Sequence, residues 1–250
     1  MGNRKLEVCI DSLASARAAI AGGADRLELC SALSVGGLTP FSDLLGQIRK
    51  ESHIEIRCMI RPRPGDFLYT QEEIQLMLLQ ISRLREMGAD GFVVGCLNED
   101  GYLDEQVLKQ LIAAAQGKKL TLHRAIDVSG EPVKTYQTAA QLGFDTVLTS
   151  GGAGNCTAGK KTIGQLLQLQ KELNGPEVLI GAGVNAKVIE QFRKEFPDAC
   201  SFHMSGKHDV ESGMRFRKEG VPMGIPGLDE WHISETDAEN IRQARIALDA

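Results

Sequence analysis

The chain has 250 residues, of which 42% are hydrophobic and 24% charged, and its formal net charge is -5 at pH 7. This composition excludes a disordered chain, a fibrous chain and a disulfide-dense miniprotein. The negative charge disfavours a nucleic-acid partner, and the sequence has no apolar run of the roughly 18 residues that a membrane helix needs. The six cysteines show no C-x-x-C spacing, and the N-terminus has no apolar signal core. We therefore expect a cytoplasmic protein with free thiols.

Eight short apolar segments alternate with helical stretches along the chain. The predicted strands are residues 6–11, 25–30, 54–63, 90–97, 119–127, 145–151, 177–184 and 199–206. The predicted helices are residues 12–23, 41–51, 70–87, 104–115, 132–142, 162–173 and 185–195, with a last helix starting near Asp237. Eight βα units in this length predict an α/β fold, the (β/α)8 TIM barrel, with an open doubly wound sheet as the alternative.

No linker or change in composition divides the chain, so we predict one domain. Its barrel core covers residues 1–213, and a C-terminal extension with a helix covers residues 214–250. The extension carries Trp231 and Ile233 in a chain with only 5% aromatic residues. These side chains are expected to cover a barrel end or a partner subunit, which favours a homodimer.

Charged side chains gather where the predicted strands end. In a TIM barrel the site lies at the C-terminal ends of the strands, and alternate strand residues point inward. The inward or strand-end residues predicted on this basis are Glu7, Cys9, Glu28, Cys30, Arg61, Arg63, His123, Asp127, His203 and Ser205. Two interpretations are open: a salt-bridged layer inside the barrel, or a functional pocket.

If the charged set forms a pocket, it fits an enzyme that acts on a small anionic or sugar-like metabolite. Arg61 would hold a carboxylate or phosphate through two parallel hydrogen bonds, Glu7 or Glu28 would act as the base, and His123 as the acid. The reaction class stays open among isomerase, lyase and hydrolase. We find no nicotinamide, flavin or pyridoxal signature.

Glycines after the seventh strand point to an anion site. Many barrels bind phosphate between the loops that follow strands 7 and 8, and here these loops carry Gly181 and Gly183 beside His203 and Ser205. The alternative is that the glycines only turn the strand into the helix. Ser150, at the end of the sixth strand, fits either a ligand contact or a helix cap. With Arg63 and Asp127, these residues form the predicted ligand-binding set.

Cys9 and Cys30 occupy equivalent positions in the first two predicted strands. Because neighbouring strands lie about 4.8 Å apart, two inward thiols suit a soft ion such as Cu(I). The alternative is that both thiols are ordinary core residues.

Several segments closely resemble the copper homeostasis protein CutC family. They are LEVCIDSLASARAAIAGGADRLELCSALSVGGLTPF, MIRPRPGDFLYT, HRAIDV, VLTSGG and FHMSGKHDVESGMRFR, and together they extend over nearly the whole chain. The resemblance implies a cytoplasmic single-domain barrel with a role in copper homeostasis and Cu(I) ligands at Cys9 and Cys30. One departure is Ile126, where close relatives have HRAFD.

Overall fold

A computed structural model describes residues 4–218, 220–221, 223–224 and 229–250. In these residues eight parallel strands close into a barrel in sequence order, and the last strand pairs with the first. The strands are β1 (Lys5–Ile10), β2 (Arg26–Leu29), β3 (Glu55–Met59), β4 (Gly91–Val94), β5 (Lys119–Leu122), β6 (Thr146–Thr149), β7 (Glu177–Ile180) and β8 (Ser201–Met204). The predicted TIM barrel is confirmed.

The helices surround the barrel, and none in the described ranges is long and apolar enough to cross a membrane. They are α1 (Leu13–Ala21), α2 (Ser42–Glu51), α3 (Gln71–Glu86), α4 (Glu105–Ala115), α5 (Pro132–Gln141), α6 (Lys160–Leu173), α7 (Ala186–Glu195) and α8 (Ala238–Asp249). Short 3-10 turns cover Leu33–Val35 and Arg124–Val128.

The tripeptides Gly-Ala-Asp (residues 23–25 and 88–90) and Gly-Phe-Asp (residues 143–145) have a common structural role. Each glycine ends a helix with a positive φ, as at Gly23, where φ is 94°. The aspartate that follows accepts a hydrogen bond from a backbone N–H of the preceding strand. Asp25, Asp90 and Asp145 make this contact at 2.7, 2.8 and 2.8 Å. The same tripeptide pattern therefore links β1 with β2, β3 with β4 and β5 with β6 through a hydrogen bond.

Inside the barrel, at the level of Glu7 and Arg26, the side chains form a network of ion pairs. Glu7 is fully buried and accepts hydrogen bonds from the Arg26 guanidinium and from His203 Nδ1. The two terminal nitrogens of Arg26 lie 3.8 Å from Glu55 and 3.9 Å from Glu177. The salt-bridged layer foreseen as one interpretation thus exists at this level.

Arg57 continues this layer around the barrel. Its Nε donates to Glu55 at 2.9 Å, and its Nη1 donates to the hydroxyls of Thr121 and Thr146 at 2.7 and 2.9 Å. The apolar core lies instead between the strands and the helices, where outward strand residues such as Val8, Leu27 and Leu29 are buried.

The C-terminal segment contributes both to the barrel and to its cover. Strands β9 (Lys207–Glu211) and β10 (His232–Thr236) form an antiparallel hairpin after β8. Helix α8 then packs against α1 and α7, so it completes the ring of eight helices. Close contact with Ile241 of α8 leaves no room for a side chain at Gly22. Among the described residues, the two strands of the hairpin lie outside the βα repeat, whereas the predicted extension also included the last helix.

We expect Glu7→Gln to destabilise the protein by about 3–5 kcal/mol, because it leaves the buried Arg26 without its closest counter-charge. Urea unfolding at pH 7 measures this loss. The control is Glu51→Gln, which removes an exposed pair with Arg17 and is expected to cost less than about 1 kcal/mol. Equal unfolding midpoints for the two variants would contradict the ionic account of the interior.

The contribution of Glu7 also carries a pH dependence. Burial alone would raise the pKa of Glu7, but Arg26 and the hydrogen bond with His203 hold it well below the ordinary value of 4.5. A depressed pKa gives stability that is present above the unfolded value and is lost as the pH falls toward the folded one. The difference in unfolding free energy between wild type and Glu7→Gln is therefore expected to shrink below about pH 4.5. A difference that grows on acidification would refute this.

Candidate functional site

A cavity of about 1080 Å³ opens at the C-terminal ends of the strands. Its walls come from the ends of β1, β2, β3, β5 and β8, and the β9–β10 hairpin adds a further wall. Among the predicted site residues, those that line the cavity are Cys9, Glu28, Arg61, His123, Asp127, His203 and Ser205. Ile233 of the C-terminal extension therefore lies at the mouth of its own barrel. This agrees with the expectation that the extension covers a barrel end.

The floor of the cavity brings three potential metal ligands together. In the strand register Cys9 pairs with Glu28 on one side, while Glu7 pairs with His203 on the other. The ligand atoms of Cys9, Glu28 and His203 all lie within 4.8 Å of one another. His203 Nε2 is 3.8 Å from Glu28 Oε2, and its Nδ1 is 2.8 Å from Glu7 Oε1.

The charges around this cluster depend on one another. Burial disfavours the charged form of His203, but the charges of Cys9 and Glu28 raise its pKa well above 6.5. Burial, with the neighbouring Glu7, raises the pKa of Glu28 although His203 acts in the opposite direction. In the described residues no hydrogen bond reaches Glu28 Oε1. The cluster therefore has an acceptor oxygen that no protein group satisfies.

Glu7 lies beneath this cavity and not in its wall. The prediction that it joins Glu28, Arg61 and His123 in the cavity lining is wrong, because His203 and Arg26 occupy its carboxylate oxygens and its side chain is fully buried. The inward orientation predicted for Glu7 is correct. Its role is to hold His203, which leaves Glu28 as the carboxylate that a ligand in the cavity can reach.

Cys30 lies further along its strand than the sequence analysis assumed. Cys9 is in register with Glu28, so the prediction that Cys9 and Cys30 occupy equivalent points is wrong by two residues. The thiol of Cys30 packs with Met59 and Val93 and donates to Glu28 Oε2 at 3.5 Å. Burial and the Glu28 carboxylate raise the pKa of Cys30 well above its ordinary value. Its thiolate is therefore costly to form.

His123 presents a single hydrogen-bond donor to the cavity. Its Nδ1 accepts from the Ala125 N–H at 3.1 Å, which assigns the proton to Nε2. Burial, together with the nearby Arg61, lowers the pKa of His123 to about 3. Nε2 has no hydrogen-bond partner among the described residues. The geometry therefore favours a neutral His123 that donates a hydrogen bond through Nε2, and not the general acid that the sequence predicts.

Arg61 is held mainly by loop carbonyls. Its Nη1 donates to the carbonyls of Val35 and Gly37 at 3.0 and 3.1 Å, and its Nη2 donates to Gly65 at 2.9 Å. These contacts use three of the five N–H groups of the guanidinium. Its Nε is buried and lacks a partner in the described part of the chain, so the expectation that Arg61 binds an anion through two parallel hydrogen bonds remains a prediction.

Phe67 holds Arg61 and His123 together, and sequence reasoning missed it. The centroid of its ring lies 4.6 Å from that of His123 and 5.2 Å from Arg61 Cζ. The strand-end argument overlooked Phe67 because it comes from the long loop after β3. The β9–β10 hairpin supplies the further cavity residues Lys207 and His232, and its strands KHDVE and HISET show no alternation of polar and apolar residues that could have indicated them.

Hydrogen bonds between Asp127 and Ser150 join the loop after β5 to the loop after β6. The Asp127 carboxylate accepts hydrogen bonds from Arg124 Nε at 2.7 Å, from Thr149 Oγ1 at 2.6 Å and from the Gly152 N–H at 3.0 Å. The backbone N–H and the hydroxyl of Ser150 also donate to it. Since these contacts use the lone pairs of Asp127, its geometry favours a structural role.

The remaining predicted ligand contacts are dispersed. The Gly181 N–H donates to the Thr149 carbonyl at 2.9 Å, and any side chain at Gly181 would collide with Leu148. Gly183 is exposed and outside the cavity lining, whereas Ser205 is inside it. Arg63 lies outside as well, bound to Glu73 at 2.6 Å and Asp66 at 2.9 Å. Lack of room for a side chain therefore accounts for Gly181, and the anion site at these loops remains a prediction.

The charge of the lining favours a cation over an anion. Among the described residues, the cavity is lined by six carboxyl side chains, by three arginine or lysine side chains and by His203, whose pKa is raised. The carboxylates are Asp11, Glu28, Asp127, Asp209, Asp229 and Glu230, and the cations are Arg61, Arg124 and Lys207. A cavity lined by one sign of charge concentrates ions of the opposite sign.

Comparison with known proteins agrees with this architecture. A profile of the CutC family matches residues 4–207, which end at the first residue of β9. The chain belongs to the CutC family. The human copper homeostasis protein cutC homolog is 38% identical to it over 238 residues, covering 95% of this chain and 86% of that protein. A family protein CutC from Porphyromonas gingivalis is 40% identical over 242 residues, 96% of both chains.

Solved structures extend the comparison to the fold. The crystal structure described as CutC from Streptococcus agalactiae has a TM-score of 0.75 at 28% identity and covers 81% of this chain and 98% of its own. A Coccidioides immitis protein described as a deoxyribose-phosphate aldolase has a TM-score of 0.58 at 14% identity, with 81% of both chains covered. At that identity the likeness concerns the barrel alone.

Gly95 of this CutC family member tests how tightly His123 is positioned. A Cβ at Gly95 would lie 2.4 Å from His123 Cε1 and 3.0 Å from Ala125 Cβ. We expect Gly95→Ala to displace the imidazole and to cost about 1–3 kcal/mol of unfolding free energy in urea. The matched control is Gly130→Ala, since no atom lies within 4 Å of its added Cβ. A Gly95→Ala protein as stable as the control would show that His123 is loosely held.

Proposed function

We propose that this protein acts in copper homeostasis and binds Cu(I) at the mouth of the barrel, with Cys9 as its principal ligand. The observation that carries the proposal is the placement of Cys9, which lines the cavity and whose thiol lies within 4.8 Å of an imidazole nitrogen of His203. Thiolate sulfur is a soft ligand that selects Cu(I), and imidazole also binds copper. Relatives named for copper homeostasis support the same role.

The donor chemistry assigns Cys9 and Cys30 unequal parts. Cys30 fits as a second sulfur donor, since its thiol contacts Glu28 and Glu28 belongs to the same cluster as Cys9. However, ligation needs the deprotonated thiolate, which burial and the Glu28 carboxylate both oppose at Cys30. We therefore propose Cys9 as the dominant ligand and Cys30 as a weaker one.

The surroundings of the site support a cation and a reducing compartment. The excess of carboxylates in the cavity lining attracts a cation more strongly than the small anionic ligand considered above. All six cysteines are free in the structure, as thiols are in the cytoplasm. We accordingly propose a cytoplasmic location.

Competition with a Cu(I) chelator measures the two contributions. Since loss of the dominant thiolate leaves only weaker donors, we expect Cys9→Ser to reduce the affinity about 100-fold or more, and Cys30→Ser about tenfold or less. The control is Cys200→Ser, because Cys200 is also partly exposed but precedes β8 at the opposite end of the barrel. An unchanged affinity in Cys9→Ser would refute the proposal, and an equal loss in both single variants would refute the unequal roles.

An enzyme acting on a small metabolite is the second candidate, and one observation favours it. Arg61 Nε and His123 Nε2 are buried without hydrogen-bond partners in the described residues, although both side chains line a cavity of about 1080 Å³. Buried donors of this kind cost free energy unless a ligand or water pairs with them. The pair suits an oxygen atom of a sugar-like or carbonyl-containing substrate in an isomerase, lyase or hydrolase.

A thermal-shift screen of neutral sugars, carboxylates and phosphorylated sugars tests this candidate. At 100 times its Kd, a ligand adds about 2.7 kcal/mol of stability, and we expect His123→Asn to abolish the shift of any true ligand. Gly130→Ala keeps the cavity intact and serves as the control. A screen without a shift, or shifts that persist in His123→Asn, would count against the enzyme.

A further inference from the structure

We propose that Cys9, Glu28 and His203 form a mononuclear site for a borderline divalent cation of the zinc class, with one coordination position open to the cavity. The inference goes beyond copper handling because its donor set of sulfur, oxygen and nitrogen does not include Cys30. It is carried by the mutual placement of the three ligands, by the carboxylate behind His203 and by the unsatisfied oxygen of Glu28.

The carboxylate behind His203 selects the nitrogen that faces the cluster. Glu7 Oε1 lies 2.8 Å from His203 Nδ1, so Nδ1 carries a proton that it donates to Glu7. The other nitrogen, Nε2, then faces Glu28, whose Oε2 is 3.8 Å away. Histidine ligands of metals almost always donate their second N–H to a carboxylate or carbonyl in this manner. Glu7 is thus a positioning residue for the site.

The Oε1 atom of Glu28 lacks a partner that a cation would supply. Glu28 is 3% exposed, and its Oε1 has no hydrogen-bond partner among the described residues, while its Oε2 accepts from the Cys30 thiol. A buried carboxylate without compensation costs several kcal/mol, and metal coordination is one of the few ways to compensate it. Together with the acidic lining of the cavity, this favours a positively charged occupant at the floor.

The donor set identifies the class of cation. One thiolate, one imidazole and one carboxylate form a mixed set that suits Zn²⁺ better than a purely soft or purely hard ion. Tetrahedral Zn²⁺ places its ligand atoms about 3.3–3.8 Å apart, whereas these three lie within 4.8 Å before any closure. The three ligand atoms therefore need to approach one another by about 1 Å to reach tetrahedral distances.

Three protein ligands leave a fourth position for water or a ligand, as in catalytic zinc centres. In this chain Cys9, Glu28 and His203 line the same cavity as His123 and Arg61, whose buried Nε2 and Nε atoms have no hydrogen-bond partner among the described residues. We infer that the occupant is a small metabolite with a carbonyl or hydroxyl oxygen, because such an oxygen binds the cation as a Lewis acid and accepts from these N–H groups.

Co²⁺ titration of the metal-free protein, followed by absorption spectroscopy, tests the site. We expect one equivalent to bind with a thiolate-to-cobalt charge-transfer band and with ligand-field bands of four-coordinate Co²⁺, and Zn²⁺ to displace it. Cys9→Ser should remove the charge-transfer band. His203→Gln and Glu28→Gln should keep the band but weaken binding by about tenfold or more. Circular dichroism of each variant confirms that it folds.

Cys30→Ser separates this site from the copper site. It should keep the thiolate-to-cobalt charge-transfer band, because that band requires only the Cys9 thiolate, and Cys200→Ser serves as the matched thiol control. A band that disappears in Cys30→Ser, or persists in Cys9→Ser, overturns the proposed ligands, and no stoichiometric Co²⁺ binding overturns the site. In either case Cu(I) competition with the Cys9→Ser protein decides separately whether the copper function stands.

Discussion

The Glu7 carboxylate joins the interior of this barrel to its mouth. One oxygen accepts from Arg26, and the other lies 2.8 Å from His203 Nδ1. Arg26 in turn approaches Glu55 and Glu177, so the counter-charge for Glu7 is shared around the lower barrel. Because a buried charge is tolerated only when it is paired, neither the interior nor His203 can rearrange without the other. The orientation of the cavity floor is thus a consequence of how the barrel is filled.

A barrel filled with ions instead of branched aliphatic side chains has a second consequence. The inward residues of β3, β5 and β6 at this level are Arg57, Thr121 and Thr146, and Arg57 donates hydrogen bonds to both threonine hydroxyls. Directional bonds of this kind define side-chain positions more narrowly than apolar contacts do. The cluster of Cys9, Glu28 and His203 therefore lies on a rigid polar base, and it is pre-organised for whatever it binds.

Local patterns of the chain were enough to predict the barrel, since each βα unit repeats the same apolar strand and capped helix. Alternation also placed Glu28, His123 and His203 correctly inside. The strand register could not be predicted from the sequence, because the pairing of Cys9 with Glu28 depends on how all eight strands close into the barrel. The loop carbonyls that bind Arg61, and the stacking of Phe67, depend on long loops whose course no periodicity encodes. The errors thus concern contacts between distant segments.

The position of Cys30 determines which metal chemistry the floor can support. A site built on two thiolates must deprotonate Cys30 against an apolar pocket and against the Glu28 carboxylate. The proposed site of Cys9, Glu28 and His203 instead uses that same carboxylate as a ligand. The negative charge that disfavours the Cys30 thiolate would then attract the bound cation. Both sites require Cys9, hence they cannot be filled independently. The two proposed sites therefore compete for the Cys9 thiolate, and the contact between Cys30 and Glu28 favours the set in which Glu28, and not Cys30, is the further ligand.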